Sequence, residues 1–162
     1  MLGLETIIDD ASRRIQYRLD ATDSLMTKQI PANMTLSDSV SSAPLNIFVH
    51  SHTPLGYRCV YLLLRFDQLA LRLFQLHHYG LISTRHRDNG LQKGGSQIRR
   101  IFTCAQSYRS ISVSRTDIAL NNDSALQAVN LLGKVDEAIL LGKKRSRFSP
   151  RLNRDAALLL KK

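Results

Sequence analysis

Cysteine is scarce in this sequence. Cys59 and Cys104 stand alone and far apart, which excludes a disulfide-dense scaffold. No stretch of about eighteen uninterrupted apolar residues occurs, so no membrane span is expected. The opening Met1-Leu2-Gly3-Leu4-Glu5 lacks a basic segment followed by an apolar run. Secretion is therefore not expected, and both thiols read as reduced cytoplasmic groups. Carboxylates are also in short supply: 13 Asp and Glu stand against 23 Lys and Arg, a net charge of +10. What is plentiful is apolar side chain. At 43% of 162 residues it suffices for the core of one ordinary domain and argues against wholesale disorder.

The excess charge is unevenly placed. Residues 143–162 carry a net +7, which leaves only +3 for residues 1–142. A mildly basic body with a strongly basic C-terminal arm points to a polyanionic partner, with double-stranded DNA as the leading expectation. A solvated tail that only aids solubility is the plainer alternative.

Local patterning divides the chain into an N-terminal helix over 1–26, a linker over 27–44, a core over 45–142 and the arm over 143–162. Leu4, Ile7, Ile8, Ala11, Ile15 and Leu19 recur at helical steps, with acids early and arginines later in the run. Pro31, Asn33, Pro44 and several serines mark the linker. Leu45-Asn46-Ile47-Phe48-Val49-His50-Ser51-His52 lies between Pro44 and Pro54 and reads as a short strand. Its alternation puts Leu45, Ile47 and Val49 on one side, and Asn46, Phe48, His50 and His52 on the other.

Thr53-Pro54 is an N-cap followed by proline at the first helical position, and Gly80 is the stop of a helix reaching about Tyr79. That helix is apolar on more than one side, which predicts burial in a thick core or against a second subunit. Arg58, Arg65 and Arg72 form a stripe at seven-residue steps and read as solvated. A third helix runs from Ser83 or Thr84 to about Tyr108. Its Gly90, Gly94 and Gly95 imply either close approach of another helix or a break near Ser96. A fourth runs from the N-cap Ser114 to about Leu132, a short one covers Val135–Leu141, and Ala156–Leu160 offers a short terminal helix.

One strand alone leaves its backbone donors and acceptors without partners. The same strand from a second copy, paired antiparallel about a dyad, would supply them. The expected fold is therefore mainly α with one short β-strand: an elaborated ribbon-helix-helix homodimer, joined through residues 45–52 and the following helix. In that plan the two-stranded ribbon enters the major groove with Asn46, Phe48 and His50 as base contacts. Thr53, Ser83, Thr84, Arg85 and Arg87 are the phosphate contacts, because helix starts offer free amides and a positive dipole. A lone edge strand packed on a helical body is the structural alternative.

No constellation for catalysis assembles. His50 and His52 share a strand face without a third ligand, so no metal is expected, and no cofactor. His77-His78 suit a helix C-terminus, and Cys59 and Cys104 suit a core. Lys93-Gly94-Gly95-Ser96 lacks the Walker A pattern and does not follow a strand.

Several blocks resemble a known family. They are Gly56-Tyr57-Arg58-Cys59-Val60-Tyr61-Leu62-Leu63, His77-His78-Tyr79-Gly80-Leu81-Ile82, Gly94-Gly95-Ser96-Gln97-Ile98-Arg99-Arg100-Ile101-Phe102, Ser107-Tyr108-Arg109, Val113-Ser114-Arg115-Thr116-Asp117-Ile118 and Arg147-Phe148-Ser149-Pro150. Their order and spacing over about residues 45–152 resemble proteins of integrating conjugative elements and conjugative plasmids, the family that includes AcaB-type transfer activators. The resemblance implies a non-enzymatic ribbon-helix-helix regulator that activates transfer genes, located in the cytoplasm on nucleoid or plasmid. The transcription machinery would be a further partner. A helical assembly or adaptor component of the transfer apparatus is the alternative function.

Overall fold

The computed structural model describes residues 2–33, 37, 43, 44, 46, 48–106 and 111–149. Among the described residues there are six helices and no strand: α1 (Leu2–Gln29), α2 (Pro54–His78), α3 (Thr84–Gln106), α4 (Arg115–Leu120), α5 (Asp123–Leu132) and α6 (Glu137–Leu140). They fall into two compact units, Gly3–Ser107 and Tyr108–Lys162 with Met1–Leu2.

In the first unit, α2 is the central element. Thr53 Oγ1 accepts the Gly56 amide proton at 3.2 Å, and Pro54 fills the first helical position without wasting a donor. At the far end Gly80 takes φ +71°, and the Leu81 amide donates to the Leu76 carbonyl at 2.9 Å, closing the helix. Leu55, Leu62, Leu69 and Leu76, at seven-residue steps, are buried together with Leu73. α3 lies antiparallel on this surface: Gly90 meets Leu73, whereas Gly94, further along α3, meets Leu69 and Phe66, earlier in α2. A Cβ at Gly90 would stand 2.7 Å from Leu73 Cδ1, and one at Gly94 2.7 Å from Phe66 Cε2. Of the two expectations for the α3 glycines, close approach holds, and the helix is unbroken through Ser96.

α1 runs alongside α2 in the same direction. Arg58 pairs with Asp9, and Arg72 pairs with Asp23 at 3.4 Å, each arginine lying 49 positions beyond its carboxylate. Both pairs share one offset of 49 positions, which at equal rise per residue puts the last residues of the two helices at about the same level. Ser37 is held against the end of α2: buried Gln75 donates through Nε2 to the Ser37 carbonyl at 2.9 Å, and the Tyr79 and Ser37 hydroxyls share a 2.9 Å hydrogen bond. Arg72 Nη1 donates to Gln75 Oε1 at 2.9 Å, so Asp23, Arg72, Gln75 and Ser37 form one chain of contacts.

Two expectations are overturned here. The ribbon-helix-helix fold with an intersubunit β-ribbon is not what the chain forms, because the described residues of 45–52 carry no strand. Asn46, Phe48, Val49 and His50 are all exposed, so their backbone groups are open to solvent and need no ladder to satisfy them. Val49, expected to pack inward, is 37% exposed, while Leu45 and Ile47 lie outside the described residues. The arginine stripe is not merely solvated either, since Arg58 and Arg72 bind carboxylates of α1.

In the second unit the single helix expected over 114–132 is two. Ser114 and Asp117 form a reciprocal capping box that opens α4. Asn121 then adopts φ 53°, and the Asn122 side chain accepts from the Ala125 amide to start α5. Asparagine tolerates the left-handed conformation and caps well, so Asn121-Asn122 ends one helix and begins the next. Asp136 caps the single turn of α6. The terminal helix expected over Ala156–Leu160 lies outside the described residues.

The helix contact at Gly94 sets a stability test. Gly94→Ala should lower unfolding free energy by about 1–3 kcal/mol through overpacking on Phe66, despite the ~1 kcal/mol that alanine gains in helix propensity. Gly95→Ala should leave stability level or raise it, because its nearest neighbour is the movable Arg99 Nη1 at 3.2 Å. Denaturant unfolding followed by circular dichroism separates the two.

Candidate nucleic-acid interface

Charge is partitioned between the helices of the first unit. The carboxylates Asp9 and Asp23 of α1 are engaged by the α2 arginines. α3 contains Arg85, Arg87, Lys93, Arg99 and Arg100 against one acid, Asp88. That acid is already held: Arg87 Nη2 lies 2.8 Å from Asp88 Oδ1. The positive potential of the unit is thus concentrated on α3.

The start of α3 gathers four of the expected phosphate contacts. Ser83 Oγ accepts the His86 amide proton at 3.2 Å, acting as the helix cap. Thr84 Oγ1 lies 3.0 Å from His77 Nε2, tying the new helix to the end of α2. The Arg87 guanidinium sits 5.4 Å from the Phe74 ring centroid, a cation–π arrangement, in addition to binding Asp88. Arg85 points outward and is exposed. Ser83, Thr84, Arg85 and Arg87 therefore share one turn, but three of them also serve the fold.

The remaining expected residues sit elsewhere. Thr53 caps α2 at its opposite end, a helix length of about 37 Å from Ser83. Asn46, Phe48 and His50 precede it and are exposed, with Phe48 93% exposed. No described contact gathers them with the α3 turn.

Opposite the apolar side of α3, the sequence offered Arg99 and Arg100 as further phosphate contacts if that face is exposed, whereas Asn89, Gln92, Ser96 and Thr103 were missed. Asn89, Gln92, Ser96, Arg99, Arg100 and Thr103 are all exposed. The signal was available, since these residues recur at three- and four-residue steps between the buried Gly94, Gly95, Ile98 and Ile101. Gly94 and Gly95 face α2, so the Lys93-Gly94-Gly95-Ser96 segment is helix and not a phosphate loop.

Other chemistries leave little trace. Among the described residues no three His, Cys, Asp or Glu side chains group as metal ligands. No helix of the described residues is long and apolar enough to cross a membrane. Burial pushes the Cys59 thiol above its ordinary range, against the opposing pull of the Arg58 guanidinium, which disfavours the nucleophilic thiolate. The Asp117 carboxyl is held below its usual range by hydrogen bonds from the Ser114 side chain and backbone and from the Asn122 side chain, a capping role.

A helical unit in which Asp9, Asp23 and Asp88 are ion-paired, and whose α3 carries five basic side chains, has the layout of a binding protein working through a helix surface. The comparison with known families agrees and is more definite. The chain belongs to the AcaB family: the family model described as "Transcriptional regulator AcaB" matches residues 1–153. Among curated proteins and among solved structures nothing matches the chain.

The capping role of Ser83 is measurable. Ser83→Ala should cost about 1 kcal/mol of stability as a lost cap, whereas Arg85→Ala should leave stability within about 0.5 kcal/mol as an exposed substitution. Thermal and denaturant unfolding of both variants checks this.

Proposed function

We propose that this transcriptional regulator binds duplex DNA sequence-specifically as a homodimer and activates conjugative transfer genes of a plasmid or integrating conjugative element. It would act in the cytoplasm, on nucleoid or plasmid, with the transcription machinery as a further partner. Family membership supports the regulatory role. The single observation that carries DNA binding is the outward, acid-poor α3, five basic residues with one carboxylate that Arg87 already binds. The sequence blocks resembling conjugative-element proteins support the choice of target genes. Ser83, Thr84, Arg85 and Arg87 at one end of α2, and Thr53 at the other, serve as phosphate contacts. Asn46, Phe48 and His50 act as an exposed arm touching bases, without a ribbon. The basic segment 143–162 adds sequence-independent affinity.

The homodimer is supported by the outer face of α2. Tyr57, Leu64 and Leu71 at seven-residue steps are exposed at 42%, 54% and 37%, and Phe74 at 50%. With Val60 and Asp67 between them they follow the three-four spacing of a coiled-coil seam. Isolated exposed apolar residues are ordinary, but a strip about five turns long is the mark of an interface. A parallel pairing would bring Asp67 against its own copy, so an antiparallel pairing is favoured.

Gel shifts with the full-length protein at physiological salt, against random competitor, test the reading. Retention of one preferred sequence is expected. Binding that no competitor sequence distinguishes, or none at all, would leave the adaptor function instead. Deleting residues 143–162 should weaken binding to every duplex by a similar factor and flatten its salt dependence. Leu64→Glu with Leu71→Glu should convert a dimer to a monomer in sedimentation at unchanged helical content. A wild type already monomeric at micromolar concentration would remove the dimer.

A further inference from the structure

The outward side of α3 is a continuous ladder of donor-bearing side chains. Arg85, Asn89, Gln92, Ser96, Arg99 and Thr103 succeed one another at steps of three and four, and each is exposed. Lys93 and Arg100 flank the ladder and are exposed as well. The opposite side is sealed, because Gly94, Gly95, Ile98 and Ile101 are buried. Contact with Phe66 and Leu73 at the glycines fixes the rotation of α3 about its axis. The ladder is therefore held outward by packing and not by chance of side-chain rotamer.

We propose that this face of α3 lies in the major groove of duplex DNA, with Asn89 and Gln92 on base edges and Arg85, Arg99 and Arg100 on the phosphates. The proposal rests on the DNA-binding reading above and adds to the arm at Asn46, Phe48 and His50 a second base-reading surface, the one that carries most of the sequence preference. Asparagine and glutamine are the side chains whose paired donor and acceptor match the adenine edge. They occupy the ladder between its terminal arginines. Arg85 and Arg99 stand about 21 Å apart along the helix, enough to bracket a major groove about 12 Å wide and reach the backbone on both sides.

Competing occupants fit the face less well. Single strands are held by stacking on aromatic rings, and the ladder carries none. The narrow major groove of A-form RNA does not admit a helix. A protein partner would be expected to meet an aromatic anchor beside the arginines, and the ladder carries no aromatic residue. The absence of any carboxylate on the ladder suits a polyanion.

The test begins with selection of a preferred sequence from a randomised duplex pool by the full-length protein, followed by affinities for the selected duplex and a shuffled one. The double variant Asn89→Ala with Gln92→Ala should lose roughly 10- to 100-fold of its preference while binding the shuffled duplex as before. Arg99→Ala with Arg100→Ala should weaken both duplexes alike and reduce the salt slope by about two. Circular dichroism confirms that helix content is kept, and Gln92→Glu, which adds a carboxylate to the face, should weaken binding to both duplexes. Preference intact in the Asn89/Gln92 variant overturns the proposal while leaving DNA binding standing. So does preference that disappears only with Asn46→Ala and His50→Ala. A wild type that selects no sequence and binds no duplex instead overturns the DNA-binding reading itself, and this assignment with it.

Discussion

The approach of α2 to α3 at Gly90 and Gly94 is the contact from which the first unit takes its geometry. With no Cβ at those positions, Leu73 and Phe66 press against the α3 backbone itself. The cost is helix propensity, since each glycine weakens an isolated helix by about 1 kcal/mol. The return is a unique rotational setting, because only one side of α3 can accept side chains at that distance. Close packing of this kind is intolerant of added methylenes, so the arrangement is discrete. The same contact that buries Ile98 and Ile101 determines which residues of α3 meet solvent.

Charge follows the same architecture. α2 is apolar enough to be central, yet it contains Arg58 and Arg72, and α1 supplies Asp9 and Asp23 at matching intervals. Such partly exposed pairs add only modest stability, typically up to about 1 kcal/mol each. Their larger effect is distributional. They satisfy the cations of the central helix locally, and the excess that gives the chain its +10 is left on α3 and toward the C-terminus. A field concentrated on one helix steers a polyanion better than the same charge spread evenly.

Much of this was legible in the residues. Thr53-Pro54 and Gly80 delimit α2 by backbone chemistry that acts locally, and the structure places its ends there. Gly90, Gly94 and Gly95 announced a close neighbour without saying which helix supplied it. The segment 45–52 misled because alternation of apolar and polar side chains describes only what a strand would look like if paired. Pairing depends on a second chain segment that the pattern does not contain. The arginine stripe was read as solvated because its carboxylates lie 49 positions away, beyond the range of helical periodicity. Asn121-Asn122 was a local signal and could have been used to divide 114–132. In the candidate interface, the turn Ser83–Arg87 was found by helix-start chemistry, whereas Asn89 and Gln92 went unnoticed among residues weighed only for burial.

The level ends of α1 and α2 bear on how the unit assembles. Contacts between α2 and α3 join residues from 7 positions apart, His77 with Thr84, to 28, Phe66 with Gly94. Those between α1 and α2 close a gap of 49. Loop-closure entropy rises with that gap, and local contacts form sooner. The helical hairpin is thus expected to assemble first and α1 to dock last, making the amino-terminal helix the latecomer in folding and the first element to detach under stress.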